Sequence, residues 1–177
     1  MEGYKDNSGF NAVFGSGGGG GSSATDYTGS FFSSTTQIAG GSLTQNIVAI
    51  ENVQISNGIT IGGTDFSEIT YTNGGIYALN FSLQVQNTGI ISQENLFVYL
   101  LWNGTKLPNS TRNFEMQSLD DVMVCSLDYL LNLSGGDIIQ IGWVVSNINL
   151  VLTFTSAPFG AVYTDIPSVI CNSFKVQ

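Results

Sequence analysis

The side chains able to do chemistry are few, and their spacing argues against most of it. Asp120 and Asp121 are adjacent carboxylates, with Asp128 and Asp137 close by in sequence. Glycoside hydrolysis uses two carboxylates about 5–9.5 Å apart across a cleft. Neighbours on a strand point to opposite faces, so Asp120 and Asp121 cannot flank one bond; before a strand they read as solvated or turn-capping residues. The same pair with loop carbonyls could hold calcium, but the D-x-[DN]-x-[DN]-G pattern is missing. Cys125 and Cys171 show no CxxC spacing, which leaves a zinc site or a thioredoxin-like motif unsupported. They read as two free thiols used as small packing residues, with a disulfide as the alternative. Histidine is absent altogether, and with it the commonest general base, nucleophile activator and transition-metal ligand. No G-x-S-x-G is present, and Lys5, Lys106 and Lys175 fall near the start, in a turn and at the end. The run Gly17–Gly21 lacks the Gly-Lys-Ser/Thr ending of a phosphate loop. Trp102 and Trp143 could form a carbohydrate platform, but each lies inside a strand pattern and reads better as packing. The expectation is a non-enzyme with no catalytic residue, no cofactor and no metal.

Charge narrows the partners. Among 177 residues only 10% are charged, four basic and thirteen acidic, for a net charge of −9. Phosphate recognition needs clustered cations, and Lys5, Lys106, Arg112 and Lys175 are scattered. Nucleic acid is therefore excluded as a partner, and anionic lipid is disfavoured for the same reason. No stretch of eighteen apolar residues suggests a membrane span, and the polar start Met1-Glu2-Gly3-Tyr4-Lys5-Asp6 has no apolar core of a signal peptide. The sequons at Asn80, Asn103, Asn109 and Asn132 are no more than an Asn/Ser/Thr-rich chain yields by chance.

The elements that must position these residues divide the chain in two. Residues 1–36 form a Gly/Ser-rich segment that includes Gly17–Gly21, too poor in apolar surface to order by itself. Six aromatic residues nevertheless punctuate it: Tyr4, Phe10, Phe14, Tyr27, Phe31 and Phe32. Rings spaced along a glycine string suit an arm that docks into pockets on a partner. Residues 37–177 read as a single head of short strands separated by Asn-Gly, Gly-Gly and Ser-Asn turn signals. The expected strands are 43–50, 53–56, 66–72, 76–86, 96–102, 122–133, 137–146, 149–155 and 168–176. From Gly75 to Gln86 the alternation puts Tyr77, Leu79, Phe81, Leu83 and Val85 on one face. In 122–133 Met123, Cys125, Leu127, Tyr129, Leu131 and Leu133 share a side, and the other side is mixed. The last strand groups Ile170, Phe174 and Val176, with Asn172 interrupting. Many short antiparallel strands with this alternation make an all-β sandwich or barrel. Its exposed faces would carry Ser, Thr, Asn and Gln where charge is usual, and uncharged edges pair with neighbours unless covered.

Three blocks carry a resemblance. Gly75-Ile76-Tyr77-Ala78-Leu79-Asn80-Phe81 resembles a Gly-x-Tyr-x-Phe strand, Phe97 to Gly104 a strand ending in an Asn-Gly turn, and Leu131 to Ile141 a leucine–turn–Gly-Asp–strand element. In order and spacing they are similar to the tumour necrosis factor superfamily and the globular head of complement component one q. Pro167-Ser168-Val169-Ile170 with Phe174 fits that family's last strand. The resemblance implies a TNF-like jelly roll that forms homotrimers, with Phe81, Leu83, Tyr129, Trp143 and Phe174 as trimer-interface residues. Filling the interior of one subunit is the competing role for those five. The collagen-like stem, signal and anchor of secreted relatives are missing from this sequence. In that respect the chain resembles the head-decoration, cement and fibre-knob proteins of tailed bacteriophages and other double-stranded DNA viruses. The resemblance implies a virion protein assembled in the host cytoplasm, on the capsid exterior, whose six aromatic arm residues bind the viral major capsid protein. The alternative is a fibre or spike knob that binds a host receptor or glycan through the loops Asn87–Asn95 and Thr105–Met116.

Overall fold

The computed structural model describes residues 27–89 and 93–176. Among them are fourteen strands and no helix. In chain order these are β1 (Thr28–Ser33), β2 (Gln37–Ile38), β3 (Asn46–Ile47), β4 (Asn52–Asn57), β5 (Ile59–Gly62), β6 (Glu68–Tyr71) and β7 (Gly75–Asn87). They continue with β8 (Glu94–Trp102), β9 (Thr105–Lys106), β10 (Arg112–Met116), β11 (Val122–Leu133), β12 (Ile138–Val145), β13 (Leu150–Leu152) and β14 (Val169–Lys175). All pairings are antiparallel. The first sheet runs β4–β1–β14–β7–β11, with β13 and β2 extending it past one end of β14. The second runs β10–β8–β12–β6–β5, with β9 on β8 and β3 on β12.

The core lies between the sheets and follows the period of two. Tyr77, Leu79, Phe81, Leu83 and Val85 of β7 face Leu96, Val98, Leu100, Ile139, Ile141 and Trp143 of the second sheet's strands in one buried cluster. Tyr71 and Tyr77 meet edge to face at 4.7 Å between ring centroids, a favoured geometry for paired rings. The Tyr71 hydroxyl lies 3.0 Å from Ser173 Oγ, which donates to Ala78 O at 2.9 Å. The two strands joined by Asn103-Gly104 form a two-residue hairpin in which both turn residues take positive φ, 49° and 78°. That is the conformation the Asn-Gly pair supplies.

Residues 28–33 correct the expected boundary at residue 36. They form β1, flanked by β14 and β4, so the head includes them. The Gly/Ser content hid this strand because its inward positions are Gly29, Phe31 and Ser33. Only a small residue fits at position 29: a Cβ there would lie 2.4 Å from the Phe31 ring. Three of the expected arm residues therefore belong to the sandwich. Tyr27 packs on the core with Lys175 Nζ 5.1 Å from its ring centre, Phe31 is fully buried, and Phe32 is half-buried. Tyr4, Phe10 and Phe14 lie outside the described residues. Strands β2, β5 and β10 were not expected, and most of 43–50 is irregular, with only β3 paired. In β10 the buried pattern is confined to Met116 with Phe114 half-buried, too little periodicity to mark a strand.

Candidate functional site: the open face of the first sheet

Among the described residues nothing covers the second face of the first sheet beyond a hairpin at one side, and the pleat fixes what it shows. Cross-strand register aligns three outward rows. One is Ile55–Ser30–Asn172–Asn80–Asp128, the next Phe32–Ile170–Ser82–Ser126, and the third Thr28–Phe174–Ala78–Leu130. Above them Gln84 pairs with Val124. Val53, Ile55, Val124, Leu130, Ile170, Phe174 and Val176 are all exposed, with Leu130 at 69% and Val124 at 62%. Asp128 is the one charged side chain in these rows, and the Asn80 side-chain amide donates to it. The face is thus apolar at two ends and amide- and hydroxyl-rich between them.

A bulge sharpens one end. The register of β1 and β4 shifts between Ser30 and Phe31, so Gln54 is an extra residue and both Val53 and Ile55 stay exposed. Beside it Phe31, Phe32, Val53, Gln54, Pro167 and Ile170 line a groove of about 350 Å³. Next to this groove stands a hairpin. Thr153 N donates to Gln84 O and Gln84 N donates to Ser168 O, both at 2.8 Å. β13 and β14 are therefore two pieces of one line beside β7, and residues 154–167 leave and rejoin it at the same residue. Gln84 Nε2, on the outward side, reaches Thr155 Oγ1 at 3.3 Å, which places the stem over the open face.

The five expected interface residues separate. Phe81, Leu83 and Trp143 are buried between the sheets with at most 3% exposure, so they fill the interior of one subunit and offer a partner no surface. Tyr129 also points inward: it stacks 6.0 Å from Phe81 and donates its hydroxyl to Ser110 O. Phe174 alone lies on the open face. The physical reason is parity: in β14 the inward residues are Val169, Cys171 and Ser173, so the bulkier row Ile170/Phe174/Val176 faces out. Val53, Ile55, Val124 and Leu130 were missed. The mixed second side of 122–133 was the available signal, because three exposed aliphatics, Val122, Val124 and Leu130, among Ser, Asp and Asn are costly unless covered.

The chemistry-bearing residues stay apart. Among the described residues no three of His, Cys, Asp and Glu gather as metal ligands. Asp121 Oδ2 accepts Ser118 N–H at 2.9 Å and Asp120 takes φ 61°, as turn residues do. Asp137 accepts the Asn103 side-chain amide at 2.9 Å and Ser134 N–H at 2.7 Å. Those bonds hold its carboxyl below the ordinary range. Cys125 and Cys171 are both free and buried, and burial pushes each thiol up to about 12. Trp143, fully buried, cannot serve as a carbohydrate platform. Trp102, half-buried, borders a shallow pocket of about 270 Å³ with Asn103, Thr105, Lys106, Leu107 and Pro108. The expected recognition loop Thr105–Met116 is instead largely β9 and β10. Of Asn87–Asn95, Asn87, Gly89 and Glu94 are buried, Thr88 and Gln93 are exposed, and residues 90–92 lie outside the described residues.

No family model and no curated protein sequence matches the chain. A solved structure does: the globular domain of zebrafish complement 1qA protein aligns over 85% of this chain and 98% of its own, with a TM-score of 0.53 and 13% identity. The fold is a TNF-like jelly roll. At that identity the likeness concerns the jelly roll's architecture and leaves its role in this chain open.

Proposed function

We propose that this jelly roll is a non-enzymatic virion structural protein. It is a homotrimer on the capsid exterior, tied to the major capsid lattice by residues 1–26. The observation that carries the reading is the open face of β4–β1–β14–β7–β11, which is broad, almost uncharged, and furnished with exposed Ile55, Val124, Leu130, Ile170 and Phe174. Surfaces of that composition are costly in water and become favourable when buried against copies of themselves. A net charge of −9 without clustered cations fits an inert protein surface partner, with neither nucleic acid nor membrane among its ligands. Tyr4, Phe10 and Phe14 on a glycine-rich segment supply three sets of anchors per trimer. Three weak attachments on one rigid head bind far more tightly than one through effective concentration.

The test removes residues 1–26 and leaves Tyr27, because β1 belongs to the sandwich. The truncated head should keep the oligomeric mass of the full chain in light scattering and lose binding to virions stripped of it. Saturable binding by the truncated head sinks the arm's role; a single-subunit mass for the full chain at micromolar concentration sinks the trimer.

A second reading, a fibre or spike knob that binds a host glycan, is favoured by the pocket of Trp102 and Lys106 at the β8–β9 hairpin. Glycan-array binding that disappears in Trp102→Ala would support it over cementing; an array without signal for the full chain would remove it.

A further inference from the structure

Residues 154–167 form a built projection. Thr155 and Ile166 exchange two backbone hydrogen bonds, at 3.0 and 2.8 Å, and close its stem. Its tip is a turn in which Ala161 N donates to Pro158 O at 2.9 Å and Gly160 takes φ 80°, the pattern that demands glycine at the third position. Asp165 Oδ1 accepts Ala157 N–H at 2.8 Å and the Ser156 hydroxyl at 3.4 Å, which braces the two limbs. Thr36 Oγ1 accepts Phe154 N–H at 3.1 Å and fixes the root. This ordered frame presents Phe159 and Val162 with relative exposures of 110% and 103%. Among the described residues neither side chain packs on its own subunit. Burial of a Phe and a Val is favourable, and the described residues of one copy realise none of it here.

The same sheet face holds the complementary feature. The groove walled by Phe32, Val53, Pro167 and Ile170 begins where the hairpin ends, since Pro167 follows Ile166. Its lining is apolar apart from Gln54, whose Oε1 accepts the Ser30 hydroxyl. Its volume of about 350 Å³ is at the small end for ligand pockets and roomy enough for an aromatic side chain. The stem keeps Phe159 out of its own groove, so knob and hole are two different surfaces of one chain. The groove lining carries no charge, so the one carboxylate of the projection, Asp165, which accepts Ala157 N–H and the Ser156 hydroxyl, meets no like charge there. Two acidic copies can therefore meet here without opposing like charges at close range.

We infer that Phe159 of one copy seats in the Phe32/Val53/Pro167/Ile170 groove of a neighbouring copy, with Val162 covering its rim. The occupant is a second copy of this chain because the chain itself supplies the fitting knob beside every hole. A knob and a hole on different surfaces make a head-to-tail contact, which closes into a ring when the rotation fits. The inference rests on the homotrimer reading and assigns the contact that joins its subunits.

Two variants of the full chain test it. Phe159→Asp leaves the core untouched and should weaken assembly by about 30-fold or more, as loss of a central aromatic anchor does. Phe159→Leu should keep most of it. Val53→Cys combined with Phe159→Cys should give covalent dimers and closed rings on mild oxidation, reversed by reductant, whereas each single variant gives none. The native thiols will not interfere, being buried and held largely protonated. An assembled full chain that is unaffected by Phe159→Asp and fails to cross-link overturns the knob-and-groove contact and leaves the trimer reading standing. A full chain that remains a single subunit overturns both.

Discussion

The inner and outer faces of the first sheet are built from the same strands and differ in what surrounds each side chain. In β14 the inward residues Val169, Cys171 and Ser173 are small and completely enclosed, while the outward Ile170 and Phe174 are larger and open to water. In β7 the inward row is Tyr, Leu, Phe, Leu and Val, and the outward row is Ala, Asn, Ser and Gln. Side-chain size in β14 thus runs opposite to burial within the single chain. A strand placed between two larger neighbours has little room inward: Cys171 pairs in register with Phe31 and Phe81, both inside the core. Large apolar groups are left for the other side, where the described residues of one copy do not cover them. The inner face explains why the chain folds; the outer face is the one left open to water.

The largest effect that distinguishes the faces is truncation of an aromatic ring on each. Phe31→Ala removes a fully buried ring between the sheets and should cost about 3–5 kcal/mol in urea unfolding. Phe174→Ser, three rungs away on the other side, should change single-subunit stability by no more than about 0.5 kcal/mol and show its effect in the oligomeric mass instead. Equal unfolding costs for the two would mean that the outward ring is part of the subunit's own core, and the comparison would collapse.

How much of this was legible in the sequence follows from the same contrast. Alternation in 75–87 and 122–133 marked both long strands and their inward rows almost to the residue, because each strand is buried on one side only. The blocks around Tyr77, Trp102 and Asp137 pointed to the jelly roll, and the structure places them in strands and turns of that fold. Strand β1 was illegible because glycine at its inward position 29 is there to accommodate the Phe31 ring, a tertiary demand with no local signature. Of the five expected interface residues only Phe174 lies on the open face. Phe81, Leu83 and Trp143 looked like interface because apolar periodicity says that a face is covered and not by what. Only the pairing of two sheets, which sequence leaves undetermined, shows those three to be covered from within. The exposed hairpin 154–167 had no periodicity to read, so the exposure of Phe159 and Val162 was invisible in the sequence.

A medium effect separates polar groups on the two faces. Tyr71 buries its hydroxyl against Ser173, and burial shifts its ionisation upward. Tyr71→Phe removes the hydroxyl but leaves Ser173 its bond to Ala78 O, so no donor is orphaned and the cost should be about 1 kcal/mol. Asn80→Ala on the outward side breaks the amide's bond to Asp128, whose carboxylate water can then solvate. Its cost in the single subunit should stay within about 0.5 kcal/mol. A larger loss for Asn80→Ala, measured at a concentration where the chain is dissociated, would show that the polar row stabilises the sheet itself and not a contact across it.

The smallest effect belongs to the turn that carries the chain from one sheet to the other, where both faces end. Asp137 closes the Ser134–Asp137 turn, and its carboxyl is held below the usual range first by the Asn103 side-chain amide and then by Ser134 N–H, against a small opposing effect of burial. A carboxyl whose folded value is depressed contributes stability that is full above its unfolded value near pH 4 and is lost as pH falls through the folded value. Asp137→Asn should therefore be less stable than the parent chain at pH 7, by less than about 1 kcal/mol at so solvated a site, and the gap should narrow as pH drops below 4. Because β11 lies in the first sheet and β12 in the second, the loss should loosen both faces alike. Amide exchange should rise in equal measure at Leu131 and Ile139, and a rise confined to one would show that the turn serves only one sheet.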